Sequence, residues 1–259
     1  MGRSIAIASG KGGVGKTTIT GNLGIALAMR GVKTVLVDAD IAMANLSLLL
    51  GMQNSPITLH EILMGEAAIE DGIYQGPKGV ELIPSGLSLD SYRKADPSRI
   101  RGVIKKLETM YDYVLIDAPA GIETTVMAVL SSAQQTLIVT APNTPSVLDA
   151  VKTKSVTQAL QGKPIGVIVN MFRGEQGEVK KDDIAKLLEL PLYGTIPYDE
   201  EMRKTFLTKK IEPVILRAPN APSSRAIHEI AENLSGIKMD TNVKKESIFS
   251  KILSFFKKK

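Results

Sequence analysis

The chain has 259 residues, 44% of them apolar and 23% charged, which suits a soluble globular protein with room for one large core. It contains no cysteine, and this excludes disulfides, thiolate metal sites, cysteine nucleophiles and cysteine-held iron–sulfur clusters. The net charge is +5, and the last sixteen residues, with six lysines against one glutamate, account for all of it, so the rest of the chain is neutral.

The first predicted strand is the apolar run Ile5, Ala6, Ile7 and Ala8. It breaks into a glycine-rich loop, and a helix opens at Lys16. Gly10 to Thr17 thereby reads G-x-x-x-x-G-K-T in its required strand–loop–helix setting. Glycines let successive backbone N–H groups face phosphate oxygens with no Cβ in the way. The positive end of the following helix strengthens the anion site. The pattern assigns phosphate contacts to Gly12, Gly13, Val14, Gly15, Lys16, Thr17 and Thr18. Lys16 is expected to reach the β- and γ-phosphates, and the Thr17 hydroxyl to ligate Mg²⁺.

Residues 17–29 are small and apolar and predict a helix on a sheet, closed by Gly31. Val35, Leu36 and Val37 form the next strand, which runs into Asp38, Ala39 and Asp40. A helix is predicted over 45–50 and a short strand over 80–83. Asp96 is an N-cap with Pro97 in the first turn, opening a helix to about residue 110. The strand 113–117 ends in Asp117. Strands at 136–140, 165–170 and 192–196 then alternate with helices at 123–133, 145–160, 182–190, 202–208 and 223–234. Continuous apolar strands alternating with helices predict an α/β fold, a single doubly wound and mostly parallel sheet with helices on both faces. The site is expected at the C-terminal ends of the strands. Asp38, Asp40 and Asp117 would all emerge there. A carboxylate after four apolar strand residues, as at Asp117, suits the ordering of Mg²⁺, directly or through water. His60 and His228 lack metal-ligand spacing and read as surface or satisfied core residues.

Residues 1–236 are therefore expected to form one domain, 237–243 a linker without sustained apolar period, and 244–259 an amphipathic helix. Ile248, Ile252, Phe255 and Phe256 fall at helical spacing, with Phe249 and Leu253 alongside. Serines and Lys251 fill the other face, and lysines flank it. This composition predicts a helix that lies on an anionic membrane surface. No apolar run is long enough to predict a span across a bilayer. No signal pattern precedes the first strand, and a cytoplasmic location is expected.

The stretch from Lys11 to Thr17 resembles the deviant Walker A signature K-G-G-x-G-K-[TS] of the MinD/ParA family of P-loop ATPases, and the resemblance covers the whole chain. It implies hydrolysis of ATP to ADP and phosphate with Mg²⁺ as cofactor, in an ATP-dependent homodimer. Lys11, Lys16 and Asp40 would be the catalytic residues. Lys11 would cross the dimer interface to the partner's nucleotide, adding positive charge where the γ-phosphoryl charge spreads. Asp38 and Asp40 would belong to switch I, with Asp40 positioning the attacking water, and Asn45 would be the nucleotide-near switch residue of the segment after it. Asp117 to Gly121 matches the D-x-P-A-G of switch II. Thr17, Asp38 and Asp117 would serve the metal, and Asn170, Pro197 and Asp199 the adenine. Two departures stand out. Met171 occupies the place where the family often has an arginine. Ala42, Ala44 and Ser47 replace the glycine, arginine and aspartate that bacterial relatives carry after switch I, so their adaptor proteins do not carry over and the protein adaptors are unidentified. The resemblance implies a switch on the inner face of the cell membrane that helps position the division site. A flagellar-number regulator or a ParA-like partitioning ATPase is the alternative, and a metabolic P-loop enzyme ranks lower because it has no need of the tail. The neutral body argues against a nucleic-acid partner.

Overall fold

Strands β1 (Arg3–Ala8), β2 (Thr34–Asp38), β3 (Tyr74–Gln75), β4 (Glu81–Ile83), β5 (Tyr113–Asp117), β6 (Gln135–Thr140), β7 (Pro164–Phe172) and β8 (Leu192–Pro197) form one sheet in the order β3-β4-β2-β5-β1-β6-β7-β8. Every pairing is parallel except that of β3 with β4. The structure is a computed structural model and describes residues 1–40, 45–52, 54–86, 96–121, 123–208 and 211–239. The predicted membrane residues Ile248, Phe249, Ile252, Leu253, Phe255 and Phe256 lie outside the described residues.

The helices of the described residues are α1 (Lys16–Ala28), α2 (Asn45–Leu49), α3 (Leu59–Met64), α4 (Ile100–Leu107), α5 (Thr124–Ser132), α6 (Thr144–Ala159), α7 (Lys181–Leu188), α8 (Glu200–Arg203), α9 (Val214–Arg217) and α10 (Pro222–Ser235). The period of two along each strand divides them between two faces. Ile5, Ile7, Leu36 and Leu115 pack with Leu23 of α1 and Ile227 and Ile230 of α10. Ala6, Ala8, Val37 and Ile116 pack with Ile104 of α4 and Val129 of α5. Burial on both faces is why these strands carry almost no polar residue until their ends. Each buried isoleucine or leucine contributes about 1.5–3 kcal/mol.

The sheet positions the P-loop helix closely. A Cβ on Gly24 would meet Leu36 Cδ2 at 2.4 Å, so glycine there lets α1 lie tight against β2. The far end of α1 is stitched to the C-terminal helix. Arg30 donates to the carbonyls of His228 and of Ile237, the latter at 3.0 Å. Arg3, at the start of β1, donates to the Leu234 carbonyl at 3.1 Å. The end of α10 therefore sits at the sheet edge where β1 begins.

Several elements differ from expectation. Asp96 does cap its segment, accepting from Ser98 N, but the first turn is 3-10 (Pro97–Arg99) and α4 ends at Leu107. The helix expected at 202–208 starts earlier, because Asp199 accepts from Glu201 N, and it tightens to a 3-10 turn at Lys204–Phe206. Helix α3 was not expected. It is opened by a capping box between Thr58 and Glu61 and closed by Gly65 at φ 79°. His60 is fully buried, and both its ring nitrogens lack a hydrogen-bond partner among the described residues. It is a core histidine, but not the satisfied one expected. His228 is met by the Arg30 guanidinium.

Candidate active site

The ends of β1, β2 and β5 meet around Asp117. Its carboxylate is buried and gathers three side chains from α1. Lys16 Nζ lies 3.0 Å from Oδ1. The Thr17 hydroxyl donates to Oδ2 at 2.6 Å, and the Thr20 hydroxyl lies 3.0 Å from Oδ1. Thr17 and Asp117 thus present hard oxygen donors side by side, a set that fits Mg²⁺, which takes one or two protein oxygens together with water and phosphate. Thr20 was missed in the sequence. Its only signal is its place one helical turn after Lys16.

Asp38 is in register with Asp117 on the neighbouring strand and is also fully buried. Burial, and then the Asp117 carboxylate, push its pKa well above the usual range. Its oxygens accept backbone N–H groups, Oδ1 from Asp40 and Oδ2 from Leu46, each at 3.2 Å. One carboxylate therefore holds both flanks of the segment between Asp40 and Asn45. Asp38 does not line the phosphate cavity; Asp40 and Asn45 do.

That cavity, of about 400 Å³, is lined by the loop from Lys11 to Thr18 together with Ser9, Asp40, Asn45, Ala120 and Phe206. Lys11 is exposed, while Lys16 is only 7% exposed. Gly121, at φ 93°, donates its N–H to Ser9 O at 3.2 Å, tying the segment after β5 to the end of β1. Gly15 is required twice over. Its φ of 87° is left-handed, and a Cβ there would meet Asn170 Nδ2 at 2.4 Å.

Asn170 joins this loop to a second cavity of about 330 Å³, lined also by Met171, Pro197, Tyr198, Asp199 and Met202. Its Nδ2 donates to Val14 O at 2.8 Å, and its buried Oδ1 has no partner among the described residues. A donor on a bound base would satisfy that oxygen. Pro197 and Asp199 sit on the same wall. The Asp199 carboxylate also has structural duties, accepting from Glu201 N and from the amide and hydroxyl of Ser223. Met171, at φ 59°, holds the position after Asn170. The Arg173 guanidinium stacks 3.5 Å from the Tyr198 ring centre. Sequence reasoning missed Tyr198, Met202 and Phe206. Tyr198 fills the variable place between Pro197 and Asp199, Met202 and Phe206 lie in the connection beyond, and only the fold brings them to the loop.

Comparison with known proteins agrees with this geometry. Residues 5–212 match the model of the CobQ/CobB/MinD/ParA nucleotide binding domain. The chain is 42% identical, over 98% of its length and 96% of the relative's, to an uncharacterized ATP-binding protein of Methanocaldococcus jannaschii. Its fold is similar to that of the cell division ATPase MinD of Pyrococcus furiosus, with TM-score 0.87 and 36% identity over 91% of this chain and 99% of that one. It is similar as well to the septum site-determining protein MinD of Pyrococcus horikoshii, solved with Mg-ADP, with TM-score 0.86 and 35% identity over 91% and 96%.

Proposed function

Because the chain belongs to the CobQ/CobB/MinD/ParA nucleotide-binding family and is related to the cell-division ATPase MinD, we propose that it is a Mg²⁺-dependent ATP-hydrolysing switch. In this reading it dimerises on ATP, binds the cytoplasmic face of the cell membrane reversibly through residues 244–259, and takes part in placing the division site. The observation that carries the nucleotide chemistry is the convergence of Lys16 and Thr17 on the buried Asp117 beneath the glycine loop.

The steps follow from these side chains. In the free protein Lys16 neutralises Asp117. ATP phosphates entering the loop offer Lys16 stronger anionic partners, and the backbone N–H groups from Gly12 to Thr18 hold the remaining oxygens. Asp117 and the Thr17 hydroxyl would then be the protein's donors to Mg²⁺. When bound, the ion neutralises charge across the β- and γ-phosphates. Asp40, on the cavity wall, orients the attacking water. Asp38 steadies Asp40 from behind by accepting its N–H. Exposed Lys11 is left for the nucleotide of a second copy, and the Gly121 N–H can exchange Ser9 O for the γ-phosphate.

The membrane step is supported by the sequence of the tail. A helix of about a dozen residues is marginal alone in water, and each lysine adds on the order of 1 kcal/mol near an anionic surface. One tail binds weakly. Two tails on one ATP dimer make the second attachment intramolecular, raising avidity by about 10²-fold or more. Sedimentation with phosphatidylglycerol vesicles tests this, using the full chain and a chain truncated after Val243. The full chain should pellet with ATP and much less with ADP, and the truncated chain with neither. Equal pelleting in ATP and ADP would defeat the coupling.

A further inference from the structure

The two cavities beside the glycine loop share four lining residues: Gly13, Gly15, Thr18 and Phe206. Three belong to the loop and the first turn of α1. The fourth comes from the 3-10 turn Lys204–Phe206, far along the chain in the connection after β8. One cavity ends among Lys11, Lys16, Thr17 and Asp40, groups suited to phosphate and its attack. The other ends at Asn170, Pro197 and Tyr198, an amide beside apolar walls, suited to a base. A nucleotide that fills both carries its sugar across the junction. At that junction Phe206 is, among the described residues, the one shared wall from outside the loop and α1.

Phe206 is 40% exposed, yet the turn that bears it is anchored. Thr205 beside it is fully buried, and Arg203 N bonds to Asp199 O just ahead of the turn. Asp199 in turn is fastened to Ser223 of α10. An aromatic ring held half in water at a cavity junction has apolar surface that a ligand can cover. It offers no donor or acceptor to a sugar hydroxyl, so it selects for the presence of a sugar and not for its 2′-substituent.

We infer that Phe206 is the sugar-facing wall of the cleft and sets the affinity for nucleoside phosphates over bare phosphates, which rests on the cleft being the nucleotide site. Calorimetry on the full chain with Mg²⁺ tests it, using ADP, 2′-deoxy-ADP and pyrophosphate. Phe206→Ala should weaken ADP and 2′-deoxy-ADP alike by about tenfold, which corresponds to about 1.4 kcal/mol. Pyrophosphate, which has no sugar, should bind the variant as it binds the parent. The natural chain has no tryptophan, so Phe206→Trp introduces a single reporter. Its emission should change with ADP and stay constant with pyrophosphate. An ADP affinity unchanged in Phe206→Ala, or an equal loss for ADP and pyrophosphate, would overturn the role of the ring while leaving the site intact. A tryptophan emission indifferent to saturating ADP would do the same. Failure of the unmodified chain to bind ADP at all would overturn the nucleotide reading itself.

Discussion

Replacing Lys16 with methionine should destabilise the protein before any nucleotide is added. Methionine keeps most of the stem's volume and removes the charge. Lys16 is 7% exposed, Asp117 is buried, and their charged atoms stand 3.0 Å apart. With Lys16 gone, Asp117 remains as an uncompensated buried carboxylate, in register with a second acid at Asp38. Breaking a buried pair from one side costs about 3–5 kcal/mol. The Thr17 and Thr20 hydroxyls still contact Asp117, so the lower end, about 3 kcal/mol, applies. At about 2–4 °C per kcal/mol for a chain near this size, Tm should fall by about 6–12 °C. Scanning calorimetry on nucleotide-free protein measures this. The double variant Lys16→Met with Asp117→Asn should recover most of the loss, since the asparagine oxygen can still accept from a threonine and no charge is stranded. A Lys16→Met variant within about 2 °C of the parent, or a double variant that loses the sum of both singles, would refute the reasoning.

Gly15→Ala should cost about 2–4 kcal/mol, because it strains a left-handed residue and drives the Asn170 amide off Val14 O. Asn170→Ala should make the same substitution cheaper, and denaturant titrations giving additive losses would show that the two residues do not meet. Burial lowers the pKa of the His60 ring, with Glu61 opposing, so the neutral imidazole is the native form. Stability is then whole above about pH 6.5 and falls as the pH drops toward the lowered value. His60→Leu should raise Tm at pH 7, by removing two ring nitrogens that have no partner among the described residues, and shrink the loss between pH 7 and pH 5. His228 is also lowered, by burial and then Arg30, and keeps its share of the acid sensitivity in that variant. Equal losses in parent and variant would clear His60 of the role.

The glycine loop was legible because its chemistry is local. Strand, loop and helix are consecutive, and the phosphate site is largely backbone. Asp117 was legible as the polar end of an apolar strand. Its partner Thr20 was not, since beyond its place one turn after Lys16 nothing in a helix of small residues shows that its hydroxyl, like that of Thr17, reaches Asp117. The capping box of Thr58 and Glu61 was written in the sequence and went unread, as the segment around it is short and lacks a long apolar period. Strand β3 has two residues and owes its existence to pairing with β4. Phe206 is the hardest case. It looks like an exposed aromatic in a connection, and only the fold sets it beside a loop nearly two hundred positions earlier.

The bonds from Arg3 to Leu234 and from Arg30 to Ile237 have a consequence for posture. Helix α1 runs from the glycine loop at one pole of the sheet to Arg30 beyond its other end, and its 13 residues span about 20 Å. The end of α10 and Ile237 lie at that second pole. The glycine loop and the end of α10 are thus set at opposite ends of α1, like the beam and the base of a lamp.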